Sequence, residues 1–277
     1  MLSDSLVCPT LYVSTMRALV LSDLHLEFCG FDLMHDGRLI DDGADVVILA
    51  GDIAAGNDGI AWARRAFPSK EIVYVVGNHE FYGAVYEPRL EDLRAAAKSE
   101  GVHFLERDRA TISGITFLGA TLWTDFKLFD ELEFSMEEAY YGLNDFGAIK
   151  THLPRGEEEA YQIGVYPGQS PSRSRKFLPI DSAKIHATTV DWLSDELAAV
   201  DSARTIVVTH HAPHRMSIHP RYQADGMDAC LRFRSRTLDG PQPVLDPWPY
   251  ARQPALRRQR NRGRSKSARL PHVQRRL

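Results

Sequence analysis

The sequence is poor in cysteine, with only Cys8, Cys29 and Cys230 among its 277 residues. Three thiols this far apart cannot form a disulfide framework, and they lack the paired spacing of a thiolate zinc site. We therefore exclude disulfide-stabilised secreted domains and zinc-finger folds. Because scarce cysteine suits a reducing compartment, we expect a cytoplasmic protein.

Long apolar runs are also missing from the sequence. No apolar segment approaches the ~20 residues that a helix needs to cross a bilayer. The N-terminus lacks the basic, apolar and small-residue order of a signal peptide. We expect a soluble chain without membrane contact. Residues 1–15, which precede Met16, show no helical or strand-like spacing of hydrophobic residues, so we interpret them as an N-terminal extension.

Charge is divided unevenly along the chain. Residues 230–277 contain 13 Lys and Arg against 2 Asp and Glu, a net charge of +11, which leaves −15 for residues 1–229 because the whole chain carries −4. The same 48 residues contain 12 arginines, 6 prolines and no isoleucine. We predict one domain at residues 16–229, long enough for a substantial core, and a separately composed tail at residues 230–277.

Runs of branched apolar residues predict buried strands, and helical spacing appears between several of them. Strands are predicted at residues 17–22, 44–50, 71–76, 102–105, 110–112, 115–118 and 204–209, and helices at 60–67, 90–99 and 186–200. Strand–helix–strand order at the start and a Ser113-Gly114 hairpin later are typical of a layered α/β protein. Residues 124–180 are long and polar, which favours a lid or substrate-facing insertion.

Four of the apolar runs are followed directly by side chains that can bind metals. The carboxyl ends of strands in α/β sheets face the ligand crevice, so four such ends can converge on one point. Taken singly, each motif also fits a strand-end turn or a hydrogen-bonded histidine at a sheet edge. Their repetition favours a metal site. The motifs are Asp23-Leu24-His25, Gly51-Asp52, Gly77-Asn78-His79-Glu80 and Thr209-His210-His211.

In order and type, these four motifs resemble the signatures of the calcineurin-like metallophosphoesterases, from Met16 to about Ala229. The resemblance implies a layered β-sheet sandwich flanked by helices and a dinuclear metal centre that hydrolyses phosphate monoesters or diesters. It also implies the roles of the individual side chains. Asp23 and His25 would bind the first ion, Asp52 would bridge both, Asn78 and His210 would bind the second, and His79 would be the catalytic histidine.

The residue types suit that chemistry in their own right. Carboxylate, amide and imidazole ligands favour borderline divalent ions such as Mn, Fe or Zn, without indicating which. A pair of cations about 3.5–4 Å apart can clamp both sides of an in-line displacement, and an imidazole can protonate the departing alkoxide. We expect a small phosphorylated substrate, and no oligomeric state is indicated. Tyr82, Trp123 and Asp125 are interpreted as packing residues rather than pocket residues.

The family pattern requires one more element, a strand that ends in Gly-His-x-His, and the sequence has none. We considered every codon that could encode residues 245–254 and shifted the reading frame by one nucleotide. In the shifted frame, these codons can encode the sequence Trp-Ile-His-Gly-His-Thr-His-Asp-Ser. The glycine is forced, because the single Trp codon is followed by a Pro codon. Our hypothesis is that residues 230–277 are an out-of-frame, disordered translation of an ordinary C-terminus, with its strands lost.

Loss of two histidines would leave the second metal site incomplete and the activity of this chain low or absent. Two alternatives stay open. The chain could be a noncatalytic interaction protein on the same scaffold, or a nucleic-acid-acting phosphoesterase that uses the arginine-rich tail as a basic arm. We do not expect nucleic acid as a partner, because the tail lacks heptads, finger spacing and interleaved aromatic residues.

Overall fold

The structure is a computed structural model that describes residues 16–128, 131–153, 173–214, 217 and 244–245. The described strands are β1 (Ala18–Leu21), β2 (Met34–His35), β3 (Arg38–Leu39), β4 (Val46–Ala50), β5 (Glu71–Val75), β6 (His103–Phe104), β7 (Asp108–Ile112), β8 (Ile115–Ala120), β9 (Lys150–His152), β10 (Ser174–Lys176), β11 (Thr205–Thr209) and β12 (Val244–Leu245). The helices are α1 (Asp58–Ala66), α2 (Tyr86–Ser99), α3 (Leu132–Gly142), α4 (Asp145–Ala148) and α5 (Pro179–Ala199).

The first sheet is parallel, in the order β1-β4-β5-β6. Its central strand β4 is buried along its whole length, which explains why residues 46–50 form an uninterrupted apolar run rather than an alternating one. The crossover between β4 and β5 contains α1, and the one between β5 and β6 contains α2. All four strands therefore end at the same edge of the sheet.

The second sheet has the order β12-β11-β8-β7. Strands β7 and β8 form the antiparallel hairpin that Ser113-Gly114 predicts, whereas β11 runs parallel to β8 on one side and to β12 on the other. The structure describes only residues 244–245 of the tail, and these form the two-residue strand β12, which the sequence did not predict.

Alternate residues of the strands point into different layers of the core. In β4, Val47 and Leu49 pack in the cluster that contains α1 and α2 residues, whereas Val46 and Ile48 pack with Phe117 of the second sheet. The far face of the second sheet packs on α5. The predicted sandwich of two sheets flanked by helices is therefore confirmed.

The insertion at residues 124–180 contains α3, α4 and the antiparallel ribbon of β9 and β10. Two backbone hydrogen bonds tie it to the loop after β5: Gly83 N–H donates to Ala148 O at 2.9 Å, and Lys150 N–H donates to Ala84 O at 2.9 Å. These bonds fix α4 beside the carboxyl end of β5, where the predicted metal motif lies.

The predicted strands and helices are confirmed, with shifts at their ends. Helix α5 begins at Pro179 rather than residue 186, because the Asp181 carboxylate accepts a hydrogen bond from Leu178 N–H at 2.9 Å and so caps the helix. None of the helices in the described ranges is long and apolar enough to span a membrane. Residues 1–15, 218–243 and 246–277 lie outside the described residues, so the domain boundaries and the out-of-frame tail stay predictions.

Candidate metal centre

The carboxyl ends of four strands from both sheets meet at one edge of the sandwich. Asp23, Asp52 and Asn78 follow the parallel strands β1, β4 and β5, and His210 follows β11 of the second sheet. His210 Nδ1 lies 2.9 Å from the carbonyl oxygen of Ala50, the last residue of β4. This hydrogen bond joins the two sheets at the point where the four motifs converge.

The loops after β1 and β4 run side by side and bend sharply. Asp23 N–H donates to Gly51 O at 3.1 Å, and His25 N–H donates to Asp52 O at 3.0 Å. Asp23, His25 and Asp52 have φ angles of +53°, +47° and +55°, in the left-handed region. That conformation costs a non-glycine residue on the order of 1–2 kcal/mol. The surrounding hydrogen bonds maintain it, and it aims the side chains at one point.

The fully buried Glu80 holds the β4 and β5 loops together. Its carboxylate accepts hydrogen bonds from the backbone N–H groups of Asp52 (3.2 Å), Ile53 (3.1 Å) and Gly77 (2.9 Å) and from the Tyr74 hydroxyl (2.9 Å). A buried carboxylate is tolerated when its lone pairs are satisfied in this way. Glu80 was part of the sequence motif, but the sequence did not indicate its role.

Two glycines let these loops approach each other closely. A Cβ atom on Gly77 would lie 2.7 Å from the backbone nitrogen of Asp52 and 2.8 Å from His210 Nε2. A Cβ atom on Gly51 would lie 2.8 Å from His210 Cβ, and Gly51 also has a φ of +88°. Both positions therefore require glycine.

Two groups of potential metal ligands share Asp52, which is 4% exposed. His25, Asp52 and His79 form one group, and Asp23, Asp52 and His210 form the other, with the ligand atoms of each group within 4.8 Å of one another. His25 Nε2 lies 3.8 Å from Asp52 Oδ2, and His210 Nε2 lies 3.5 Å from Asp52 Oδ1. Each carboxylate oxygen of Asp52 thus faces a different imidazole, as a bridging ligand requires.

Asn78 joins the second group through its side-chain oxygen. Asn78 Oδ1 lies 3.2 Å from His210 Nε2. Its Nδ2 points the other way and donates to Asp145 Oδ1 at 2.7 Å, an oxygen that also accepts the Tyr82 hydroxyl at 2.6 Å. The amide oxygen therefore faces the ligand group, as a metal ligand must.

The electrostatics couple Asp52 and His210. Burial raises the pKa of Asp52, but the nearby imidazoles of His210, His79 and His25 outweigh that effect and hold the pKa below its usual value. Burial alone lowers the pKa of His210, but the carboxylates of Asp52 and Asp23 raise it to about 9. A divalent ion bound at this position would take the place of the His210 proton.

His79 lies at the mouth of this cluster. Its Nδ1 is 2.9 Å from Glu27 Oε1, and its Nε2 is 4.0 Å from Asp52 Oδ2. The Tyr82 ring stacks on the imidazole, with centroids 4.2 Å apart and planes inclined by 25°. Burial raises the pKa of Glu27, but the His79 hydrogen bond and charge lower it below its usual value. Glu27 therefore presents a carboxylate that orients the imidazole.

The next histidine, His211, faces the core instead of the cluster. It is 7% exposed, its Nδ1 lies 3.2 Å from the carbonyl oxygen of Thr121, and its ring packs on Trp123. Burial lowers its pKa to about 3. His211 is therefore a neutral packing residue in this structure and does not replace a missing metal ligand.

The structure brings all six predicted site residues to one place, although the assignment of ligands to ions stays a prediction. The carboxylate of Asp23 belongs to the ligand group that contains His210, not to the one that contains His25. Sequence reasoning missed Glu27 and Asp145 and treated Tyr82 as a packing residue. Glu27 follows His25 by two positions, a weak signal, whereas nothing in the sequence connects Asp145 with Asn78. Trp123, which is 1% exposed, does pack in the core, as predicted.

The donor set fits divalent metal ions. It combines carboxylates from Asp23 and Asp52, imidazoles from His25 and His210 and the Asn78 amide oxygen, and no thiolate lies among the groups that the described residues form. Borderline ions such as Mn, Fe and Zn accept this mixture.

Comparison with known proteins places the chain in a family. Residues 16–239 match the sequence profile of the calcineurin-like phosphoesterases, and the chain belongs to that family. The crystal structure of phosphopantetheinyl hydrolase (PptH) from Mycobacterium tuberculosis has the same fold, with a TM-score of 0.51 and 16% identity over 78% of this chain and 75% of that one. A search of curated protein sequences finds no significant match. At the level of family, the chain is a metal-dependent phosphoester hydrolase.

Replacing Glu80 with Gln tests its role in joining the two loops. A glutamine keeps one acceptor oxygen but turns its NH₂ group toward backbone donors, so we expect the free energy of unfolding to fall by about 2–3 kcal/mol. Urea denaturation measures the change. The control is Glu91→Gln on the exposed face of α2, which should leave stability unchanged. Equal stability of both variants would contradict the assigned role.

Replacing Gly77 with Ala tests the close approach of the β5 loop to Asp52 and His210. The added methyl group has no room, so we expect a loss of about 1–3 kcal/mol of stability, typical of an overpacked site. Thermal unfolding compares it with Gly30→Ala, where a Cβ atom meets nothing within 4 Å. A Gly77→Ala protein as stable as Gly30→Ala would show that the loops are further apart than described.

Proposed function

We propose that this chain descends from a hydrolase of small phosphate esters with a dinuclear centre, and that its own centre is incomplete. The observation that carries the proposal is the buried Asp52, whose two carboxylate oxygens face two different groups of ligands. A carboxylate in that position can serve two cations at once.

The bound ions would supply neutralisation of charge on the phosphoryl oxygens and activation of water. The side chains of the protein would bind the ions and orient the phosphate. His25 and Asp52 would hold one ion, and Asp52, Asn78 and His210 the other, with Asp23 on the side of His210. Their fixed loops would orient the phosphate without further rearrangement, which is where preorganised electrostatics contribute most.

His79 would act on the leaving group. The Glu27 carboxylate would accept a hydrogen bond from His79 Nδ1–H and so orient the ring, which leaves Nε2 to donate a proton to the departing alkoxide oxygen. The stacked Tyr82 ring limits rotation of the imidazole about its own axis. Both contacts support the role of His79 as the general acid.

A groove beside His79 would bind the alcohol part of the ester. It has a volume of about 670 Å³, and it begins at Tyr82, whose ring touches the His79 imidazole. Aromatic rings and an ammonium group suit a substrate with a flat or apolar organic part and further negative charge. Its described lining includes Tyr82, Tyr140, Tyr141, Leu143, Phe146 and Lys176.

Catalytic impairment of this chain is part of the proposal. The five candidate ligands come from four strand ends, and no Gly-His-x-His follows them in the sequence. The family match extends past Ala229 to residue 239, but it includes no such motif. With two imidazoles fewer, the centre would hold one ion weakly rather than two tightly.

Metal binding tests the assigned centre. Titration with Mn²⁺ should show one ion bound weakly, and Asp52→Asn should lower its affinity at least about tenfold, since one shared carboxylate charge is lost. Asp92→Asn on the exposed surface of α2 is the matched control. Binding that Asp52→Asn does not change would contradict the centre, and two tightly bound ions with robust Asp52-dependent hydrolysis would contradict the impairment.

The coding nucleotide sequence tests the cause of the impairment. We expect the bases of codons 245–254, including the first base of the Arg252 codon, to spell Gly-His-Thr-His in the shifted frame. Restoring that frame near the Ala229 codon should then raise hydrolysis of an aryl phosphate well above that of this chain. Bases that do not spell the motif would eliminate the frame hypothesis. A restored chain that binds ions but hydrolyses nothing would instead support a noncatalytic interaction protein.

A further inference from the structure

The carboxylate of Asp145 connects the insertion to the candidate metal centre. Asp145 is the first residue of α4 and is 5% exposed. A single oxygen, Oδ1, accepts hydrogen bonds from Asn78 Nδ2 at 2.7 Å and from the Tyr82 hydroxyl at 2.6 Å. The partners are 67 and 63 residues away along the chain. This contact joins two parts of the fold that are far apart in sequence.

The first consequence concerns the orientation of the Asn78 amide. A carboxamide has one end that accepts hydrogen bonds and one that donates them, and only the oxygen end can bind a cation. Because Asp145 can only accept when ionised, it selects the NH₂ end of Asn78. The amide oxygen is then turned toward His210 Nε2, at 3.2 Å. An apolar residue at position 145 would remove this selection.

The second consequence concerns Tyr82 and His79. The Tyr82 hydroxyl is held by Asp145 Oδ1 and lies 3.3 Å from Asn78 Nδ2, while the ring stacks on the His79 imidazole. Asp145 thus holds the hydroxyl end of Tyr82, and the face of the same ring contacts His79, the candidate general acid. One buried oxygen positions both a candidate metal ligand and the neighbour of the candidate acid.

We propose that Asp145 is a positioning residue that sets the amide orientation of Asn78 and the place of the Tyr82 ring. The proposal rests on the proposed function in that Asn78 is taken to be a ligand of the one ion that this chain binds. Side-chain partners of metal ligands typically contribute 10- to 100-fold to metal affinity. Asp145 would exert that effect from α4, an element of the insertion that also borders the groove through Phe146 and Gly147.

A matched pair of variants separates positioning from mere packing. Asp145→Leu replaces both carboxylate oxygens with methyl groups on the same branched side-chain shape, and Asp145→Asn keeps one acceptor oxygen that both donors can use. In Mn²⁺ titrations of the full chain, Asp145→Leu should weaken binding 10- to 100-fold. Asp145→Asn should stay within about threefold of the original affinity, because the acceptor is retained. Equal losses in both variants, or no loss in Asp145→Leu, would overturn the proposal.

A second readout does not depend on metal. In the metal-free protein, the Asn78 side-chain NH₂ protons should exchange slowly with solvent, and Asp145→Leu should make them exchange fast. Their NMR signals are assigned by their disappearance in Asn78→Asp. Fast exchange in the unmodified chain would overturn the proposal even if Asp145→Leu fails to fold.

The two readouts also separate this proposal from the proposed function. If Mn²⁺ binds and depends on Asp52 but not on Asp145, the metal centre stands and the positioning role is wrong. If no Mn²⁺ binds to any form, while protection of the Asn78 amide depends on Asp145, the metal function fails and the positioning of Asn78 is still supported.

Discussion

The buried carboxylate of Glu80 is the interaction on which the site depends. It gathers backbone N–H groups from the ends of β4 and β5, so that both loops converge on one acceptor. Those loops carry Asp52 and Asn78, and their separation is set by the hydrogen bonds to Glu80 and by the absence of a side chain on Gly77. Without this carboxylate, three backbone donors would be buried without a partner, each at a cost of about 1–3 kcal/mol.

The packing of the two sheets brings His210, a further candidate ligand, to the same site. Because the two sheets pack face to face, the end of β11 reaches the end of β4, and His210 bonds to Ala50 O across the sandwich. The insertion contributes Asp145, whose carboxylate accepts a hydrogen bond from the side-chain amide of Asn78. Sheet packing therefore brings in one candidate ligand, and a helix of the insertion orients another. The geometry of the candidate site therefore depends on the packing of the layers rather than on any single loop.

The sequence predicts the parts of this arrangement that follow from local pattern. Apolar runs such as residues 46–50 and 71–75 identify the buried strands, and the polar residues after them identify the site, because parallel strands end at a shared edge. Asp145 could not be predicted, since its meeting with Asn78 depends on how the insertion folds back over 67 residues. The inward turn of His211 was equally hidden, because adjacent residues of a strand end point in opposite directions.

Anomalous diffraction from crystals soaked in Mn²⁺ would test the central claim most directly. The account predicts an anomalous peak between Asp52 and its neighbouring ligands, within about 2.0–2.3 Å of a carboxylate oxygen, as first-row divalent ions bind oxygen. Density for a second ion should be weak or missing, since the Gly-His-x-His histidines are absent from the sequence. No peak at Asp52, or peaks only elsewhere on the protein, would contradict the account.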